Sequence, residues 1–315
     1  MGTSEFAIPA LNKLIAYDIE ILCVVTQPDR PSGRGRKLTP SPVKKVALEN
    51  NLSIFQPEKV RKPEFVNVIK QLEPDVIIVA AFGQLLPQSV LDIPLCGVIN
   101  LHPSLLPKYR GAAPIQWAII NGEIETGITL MLLDAGEDTG DIICAERIQI
   151  GLEDTAENLQ FQLAEVGGKL LIDVLENIPN GQPPPAIPQK HDEATHAPRL
   201  TKDIGQIDWN ESAMNIHNLV RGTSGWPGAF TNFRQGTLLK IIQTLPLLNT
   251  QKKVVSTRQE EPGTIQFTTD GKLIVVTKNG EIELIHVQPA TKKVMSAKDF
   301  VNGYRIKSGE RFAEI

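Results

Sequence analysis

Three short apolar runs constrain the fold of this 315-residue chain more than any other feature. Residues 20–26, 74–81 and 97–102 are rich in Val, Ile, Leu, Ala and Cys, and each is bounded by polar or turn-forming residues. A run too short for a helix, with little polar alternation, is the pattern of a strand covered on both faces. Helical patterns lie between these runs. One begins at Ser41-Pro42, a capping serine with proline at the first helical position, and another covers residues 63–73. Strands alternating with helices predict an α/β fold with a mostly parallel sheet and helices on both faces.

This Rossmann-like part ends in one long amphipathic helix over residues 154–178, with Leu159, Leu163, Val166, Leu170, Leu171, Val174 and Leu175 near helical spacing. Five prolines between Pro179 and Pro188 then rule out a continuing helix and predict a stiff linker. Beyond it the texture changes. After a helical pattern at 209–221, residues 238–245, 263–268, 272–277 and 282–288 read as short strands joined by turns. That spacing predicts a small oligonucleotide-binding-like β-barrel. The expected organisation is therefore 1–182 as the catalytic domain, 183–200 as a proline-rich linker and 201–315 as a C-terminal barrel domain.

Charge follows the same division. The whole chain carries −4, but the residues from 201 onward hold 15 Lys and Arg against 11 Asp and Glu, so the first 200 carry −8. A basic C-terminal part fits a polyanionic partner. No apolar run approaches the roughly 20 residues that span a membrane, and no secretory signal pattern opens the chain. Cys23, Cys96 and Cys144 are too few and too scattered for a disulfide framework or a metal site. A cytoplasmic monomer without a metal is expected.

Two clusters could carry chemistry. Asn100 and His102 share one face of the third run, by strand alternation, at the carboxyl end of a predicted parallel strand. Open α/β sheets bind ligands at that edge. A satisfied core histidine is an equally good reading of this pair alone. The second cluster, residues 134–141, holds four carboxylates in a glycine-bearing turn, and periodicity does not say which of them reaches His102. Its spacing does not match a calcium loop. Residues 104–114 follow the Asn/His pair with small residues that permit close approach of a ligand. Residues 27–37 form a loop with four basic side chains. A nicotinamide-dependent oxidoreductase would need G-x-G-x-x-G after a first strand, and Gly2-Thr3-Ser4-Glu5-Phe6-Ala7 lacks it.

The run Asn100-Leu101-His102-Pro103-Ser104-Leu105-Leu106-Pro107, with Tyr109-Arg110-Gly111-Ala112-Ala113-Pro114 and then residues 134–141, resembles the folate-dependent formyltransferases. The resemblance extends to residues 26–31, 81–87, 207–209, 226–229, 262–265 and 288–290, and narrows to the members that act on methionyl initiator tRNA. Ser4, Glu137 and residues 223–225 depart from the family pattern. The resemblance implies a catalytic set of Asn100, His102 and Asp138. It implies a site for 10-formyltetrahydrofolate at Ser104, Leu105, Leu106, Pro107, Phe82 and Gly83. It implies an acceptor site at Phe6, Arg34, Arg36, Lys37, Arg110 and Gly111, and tRNA contacts from the barrel.

The implied reaction is acyl transfer without an enzyme nucleophile: Asn100 and His102 stabilise the oxyanion, and Asp138 is the charge partner of His102. A formyltransferase or formyl-folate hydrolase acting on a small substrate is the alternative. The family carries apolar residues ahead of the Gly2-Thr3 turn. A start upstream of Met1 is therefore expected, with no strand before Ser4 and an open slot beside residues 21–25 or 98–102.

Overall fold

In the computed structural model, which describes residues 1–17, 19–32, 37–178, 181–234, 236–247 and 260–312, the apolar runs contribute strands to two sheets, the first to a two-stranded sheet and the other two to a four-stranded one. The chain begins with a bridge at Gly2 and the helix α1 (Ile8–Ala16), which leads to the strand β1 (Val24–Val25). A small hairpin of β2 (Arg30–Ser32) and β3 (Lys37–Thr39) precedes α2 (Pro42–Glu49), whose cap Ser41 accepts from Lys44 N at 3.0 Å. Then follow β4 (Ile54–Phe55), α3 (Pro63–Leu72), β5 (Ile77–Val79), α4 (Gln88–Leu91) and β6 (Val98–His102). Pairing is parallel for β1 with β4, Gly2 with Ala80, and β5 with β6.

On the far side of β6 the direction reverses. The strands β7 (Glu125–Leu132) and β8 (Ile142–Gln149) continue the sheet in antiparallel fashion, with Ile99 opposite Leu132 and His102 opposite Thr129. The apolar run at 128–133 thus forms a strand, and the sheet is parallel on one side of β6 only. The edge strand β8 has exposed polar positions, a pattern that antiparallel edges tolerate and parallel sheets do not.

Alternation along β6 sends Val98 into a core with Val25, Ile69, Ile77, Val79 and Val90, and sends Ile99 and Leu101 to the opposite side. There the helix α6 (Ala156–Glu176), which follows the shorter α5 (Pro114–Ile120), sits close against the sheet. A Cβ on Gly167 would lie 3.0 Å from the Ile128 side chain, and one on Gly168 would lie 3.2 Å from the backbone of Ala10. These two glycines cost about 1 kcal/mol each in helix propensity, and they let α6 approach both the sheet and α1.

Among the described residues no strand precedes Ser4. Met1 N donates to Ile78 O, and Gly2 N donates to Val25 O at 2.9 Å. Beside this pairing lies a cavity of about 840 Å³ lined by residues that include Cys23, Val25, Ile77 and Ile172.

The chain divides into two units: Met1–Pro114, Glu125–Gln149 and Leu159–Pro198 form the first, and Ile115–Ile124, Ile150–Asn158 and Arg199–Ile315 the second. The stretch expected as a linker is therefore folded into the first unit as far as Pro198. Ile187 exchanges backbone hydrogen bonds with Ile142, and Ala197 N donates to Arg110 O at 2.7 Å.

In the second unit α7 (Ala213–Gly222) starts later than the pattern at 209–221 predicts, because Ser212 caps it by accepting from Asn215 N. Trp209 lies outside the helix and is 1% exposed, and its indole N–H donates to Thr231 Oγ1 at 3.0 Å. The strands β9 (Ala229–Phe233), β10 (Thr237–Leu247), β11 (Ile265–Phe267), β12 (Leu273–Val276), β13 (Glu281–Pro289) and β14 (Met295–Ser296) form one antiparallel sheet, ordered β11-β12-β13-β10-β9 with β14 on β13. Register shifts near Gln243 bend the long β10, so the sheet curls into a half-barrel around Trp209, Phe233, Phe300 and Phe312. The helix α8 (Ala297–Tyr304), capped by Ser296, packs on this core through Phe300.

Candidate active site

Asn100 and His102 end β6 on one face, 8% and 4% exposed. The next residues turn away sharply, and Thr129 of β7 fixes that turn. Its hydroxyl donates to Ser104 O at 2.6 Å and accepts from Leu106 N at 3.2 Å. Ser104 is fully buried and donates to Lys108 O, while Leu105 lies against Gly127. The loop from Ser104 to Pro107 is thus rigidly mounted at the end of β6.

The return of this loop brings Tyr109 back to His102. His102 Nε2 donates to Tyr109 O at 3.0 Å, since a carbonyl can only accept. On the other side of the ring, Nδ1 lies 3.5 Å from Asp138 Oδ2, and the same carboxylate oxygen accepts from Gly111 N at 2.8 Å. Both ring nitrogens therefore face oxygen acceptors. The two residues that supply those acceptors, Tyr109 and Asp138, each have left-handed backbone, with φ of 61° and 55°. Such geometry is costly outside glycine and concentrates at functional sites.

Asp138 is the carboxylate of its cluster that lies beside His102. Asp134 shapes the turn instead, accepting from Gly136 N and from Thr139 Oγ1, while Glu137 and Asp141 are exposed. The Asn100 side-chain amide makes no hydrogen bond with any described residue, and the residue as a whole is 8% exposed. An amide left unpaired in this way is available to a ligand.

The remaining predicted residues are less concentrated. Gly83 has φ of 84° and open space around it, whereas Phe82 is 2% exposed and belongs to the core. Phe6 is 4% exposed, in the short 3-10 turn Glu5–Ala7. Arg34 and Arg36 lie outside the described residues. Lys37 is exposed on β3. The base of that hairpin is anchored by Asp29, which accepts from Lys44 Nζ and Gln56 Nε2, and these bonds hold its carboxyl below the usual range. Arg110 turns its guanidinium onto Gln189 Oε1 and His191 Nδ1, so its charge serves the loop before any acceptor. Sequence reasoning missed Thr129, Gln189 and Thr195. The available signal for Gln189 was a single amide directly after the proline run.

The cysteines offer no nucleophile. Burial pushes the Cys23 thiol up and the Cys144 thiol up to about 11. No described helix is long and apolar enough to cross a membrane.

Residues 1–175 match the formyl transferase family, and residues 199–305 match the formyl transferase C-terminal domain. The methionyl-tRNA formyltransferase of Alkaliphilus oremlandii is 45% identical over 314 residues, covering 100% of this chain and 98% of its own. That of Clostridioides difficile is 44% identical over 309 residues, covering 98% and 97%. Among solved structures, the sugar 3N-formyl transferase WlaRD, crystallised with dTDP and 5-N-formyl-THF, superposes with a TM-score of 0.65. It is 22% identical and covers 93% of this chain and 97% of its own. At that identity the likeness speaks for the fold, while full-length identity near 45% decides the kinship: this chain belongs to the methionyl-tRNA formyltransferase family.

Proposed function

We propose that this formyl transferase takes its one-carbon unit from 10-formyltetrahydrofolate and delivers it to the amino group of methionyl initiator tRNA. The observation that carries the chemistry is the Asn100 amide, without a hydrogen-bond partner among the described residues, beside an imidazole held between two acceptors. Attack of the amine nitrogen on the formyl carbon puts negative charge on the formyl oxygen. Asn100 donates a hydrogen bond to that oxygen, and His102 lies beside it to stabilise it further. Asp138 holds His102 in orientation. The C–N bond to the folate N10 then breaks, the acceptor nitrogen loses its proton, and N10 gains one. One oxyanion donor is worth about 3 kcal/mol, roughly a hundredfold in rate.

The folate sits against Ser104, Leu105, Leu106 and Pro107 with Gly83 at its margin, and Phe82 supports that margin from the core. Phe6 backs the methionyl pocket. The basic stretch with Arg34, Arg36 and Lys37 takes the acceptor end, and the C-terminal unit contacts tRNA phosphates. This division gives the first unit the chemistry and the acceptor end, and gives the second unit tRNA affinity through phosphate contacts, in a cytoplasmic setting.

The test is a transfer assay with purified protein, 10-formyltetrahydrofolate and one of four acceptors: methionyl initiator tRNA, methionyl elongator tRNA, free methionine or a nucleotide-linked amino sugar. Formylation of the initiator species at a kcat/KM at least a hundredfold above the others is expected. Equal use of free methionine, or formate release without an acceptor dependence, would refute the reading.

A further inference from the structure

The eight residues 134–141 that carry Asp138 are rooted far from where their carboxylate is needed. Leu133 N donates to Val98 O, and Leu132 N donates to Asp141 O, so the loop leaves and rejoins the sheet beside the start of β6. His102 lies four residues further along that strand, about 13 Å at a strand's rise of ~3.3 Å per residue. Asp138 must therefore reach back along the sheet on a left-handed backbone. Within the loop, Asp134 accepts from Gly136 N and from Thr139 Oγ1, the second bond closing across Asp138, but neither bond ties the loop to the rest of the site.

Gln189 ties the backbone of this loop to the neighbouring segment from outside. It is 6% exposed, and its four hydrogen-bonding positions are all used. Nε2 donates to Asp138 O at 2.9 Å and to Gly140 O at 2.7 Å. Oε1 accepts from Arg110 Nε at 3.1 Å and Nη2 at 2.7 Å. The partners fix the amide's orientation, because carbonyls only accept and guanidinium only donates. One side chain thus ties the loop of Asp138 to the segment that provides Tyr109 O and Gly111 N. Thr195, further along the same stretch, accepts from Tyr109 N at 2.8 Å and secures the opposite side.

We propose that Gln189 is a positioning residue for formyl transfer, setting the distance between the Asp138 carboxylate and His102. This inference rests on the catalytic roles given above, and it goes beyond them in assigning a function to a residue that touches neither substrate. Its action passes through two carbonyls of the Asp138 loop. A glutamate at position 189 would keep the bonds from Arg110 and lose both donors.

The experiment is a double-mutant cycle with the full-length enzyme, comparing Gln189→Met, Gln189→Glu, Asp138→Asn and Gln189→Met/Asp138→Asn. Both single Gln189 variants are expected to lose at least tenfold in kcat, with KM for either substrate changed less than threefold. Their pH–rate profiles should change in the same direction as that of Asp138→Asn. In the double variant the Gln189 change should cost less than twofold further. Additive losses, or parental kcat in Gln189→Glu, would overturn the proposal. Thermal melting accompanies each variant. Should Gln189→Met not fold, Gln189→Glu takes its place in the cycle, and the same losses support or overturn the proposal. Parental kcat in Asp138→Asn would refute the catalytic set itself, and the positioning claim with it. A parent enzyme that formylates a different amine leaves the cycle readable with that amine.

Discussion

At the scale of single residues the candidate site leaves the Asn100 amide unpaired and fixes its surroundings. Thr129, Tyr109 and Gly111 use their hydrogen bonds to hold the segments around Asn100 and His102. Replacing Asn100 or His102 by alanine is expected to lower kcat by about a hundredfold or more, with both substrates saturating and circular dichroism unchanged. A variant within threefold of the parent would remove that residue from the set. Thr129→Val should act differently, since it strands Ser104 O and Leu106 N and costs about 1–3 kcal/mol of stability, read as a lower melting temperature. The Asn/His pair was legible in the sequence because strand alternation and the carboxyl-edge rule both point to it. The choice of Asp138 among four carboxylates was not legible from periodicity. It depends on a loop that doubles back along the sheet, tied by Gln189 from roughly 50 positions away, and no local pattern encodes such a tether.

At the scale of elements, burial explains which predicted segments kept their expected form. Residues 63–72, 98–102 and 156–176 match their periodic patterns closely. The run at 20–26 yields only Val24–Val25 as strand, and the run at 128–133 belongs to an antiparallel strand that apolar content alone could not orient. In α7, His217 is 4% exposed, donates from Nε2 to Leu152 O and accepts at Nδ1 from the Thr244 hydroxyl. Burial, assisted by the nearby Arg221 charge, pushes its pKa below the ordinary 6.5. The unfolded chain therefore binds a proton that the folded unit refuses as pH falls through about 6.5, and stability declines from there until the lower folded value is passed. Urea midpoints measured between pH 7.5 and 5 should fall with pH in the parent. They should fall less in His217→Gln, and identical slopes would exclude His217 as a source. Trp209→Phe removes both bulk and the bond to Thr231, and about 1–3 kcal/mol should be lost from the second unit.

At the scale of the whole molecule, chemistry and acceptor binding are expected to respond to different variables. Of the paired lysines in the C-terminal part, Lys252 and Lys253 lie outside the described residues, and Lys292 and Lys293 are exposed in the turn after β13. Lys292→Ala with Lys293→Ala should flatten the slope of log Kd for tRNA against log salt by about 1–2, while kcat at saturation stays within twofold. An unchanged slope would place these charges away from the nucleic acid. The left-handed backbone of Asp138 has a further consequence, for evolvability. A glycine there would adopt φ of 55° without penalty, so selection for thermal stability alone pulls this position toward glycine, and only selection for turnover holds the aspartate. A library randomised at 138 and sorted for folding in the absence of any demand for activity should enrich glycine and asparagine over aspartate. The same library sorted for growth dependent on the enzyme should return aspartate, a division that marks position 138 as one where the protein trades robustness for rate.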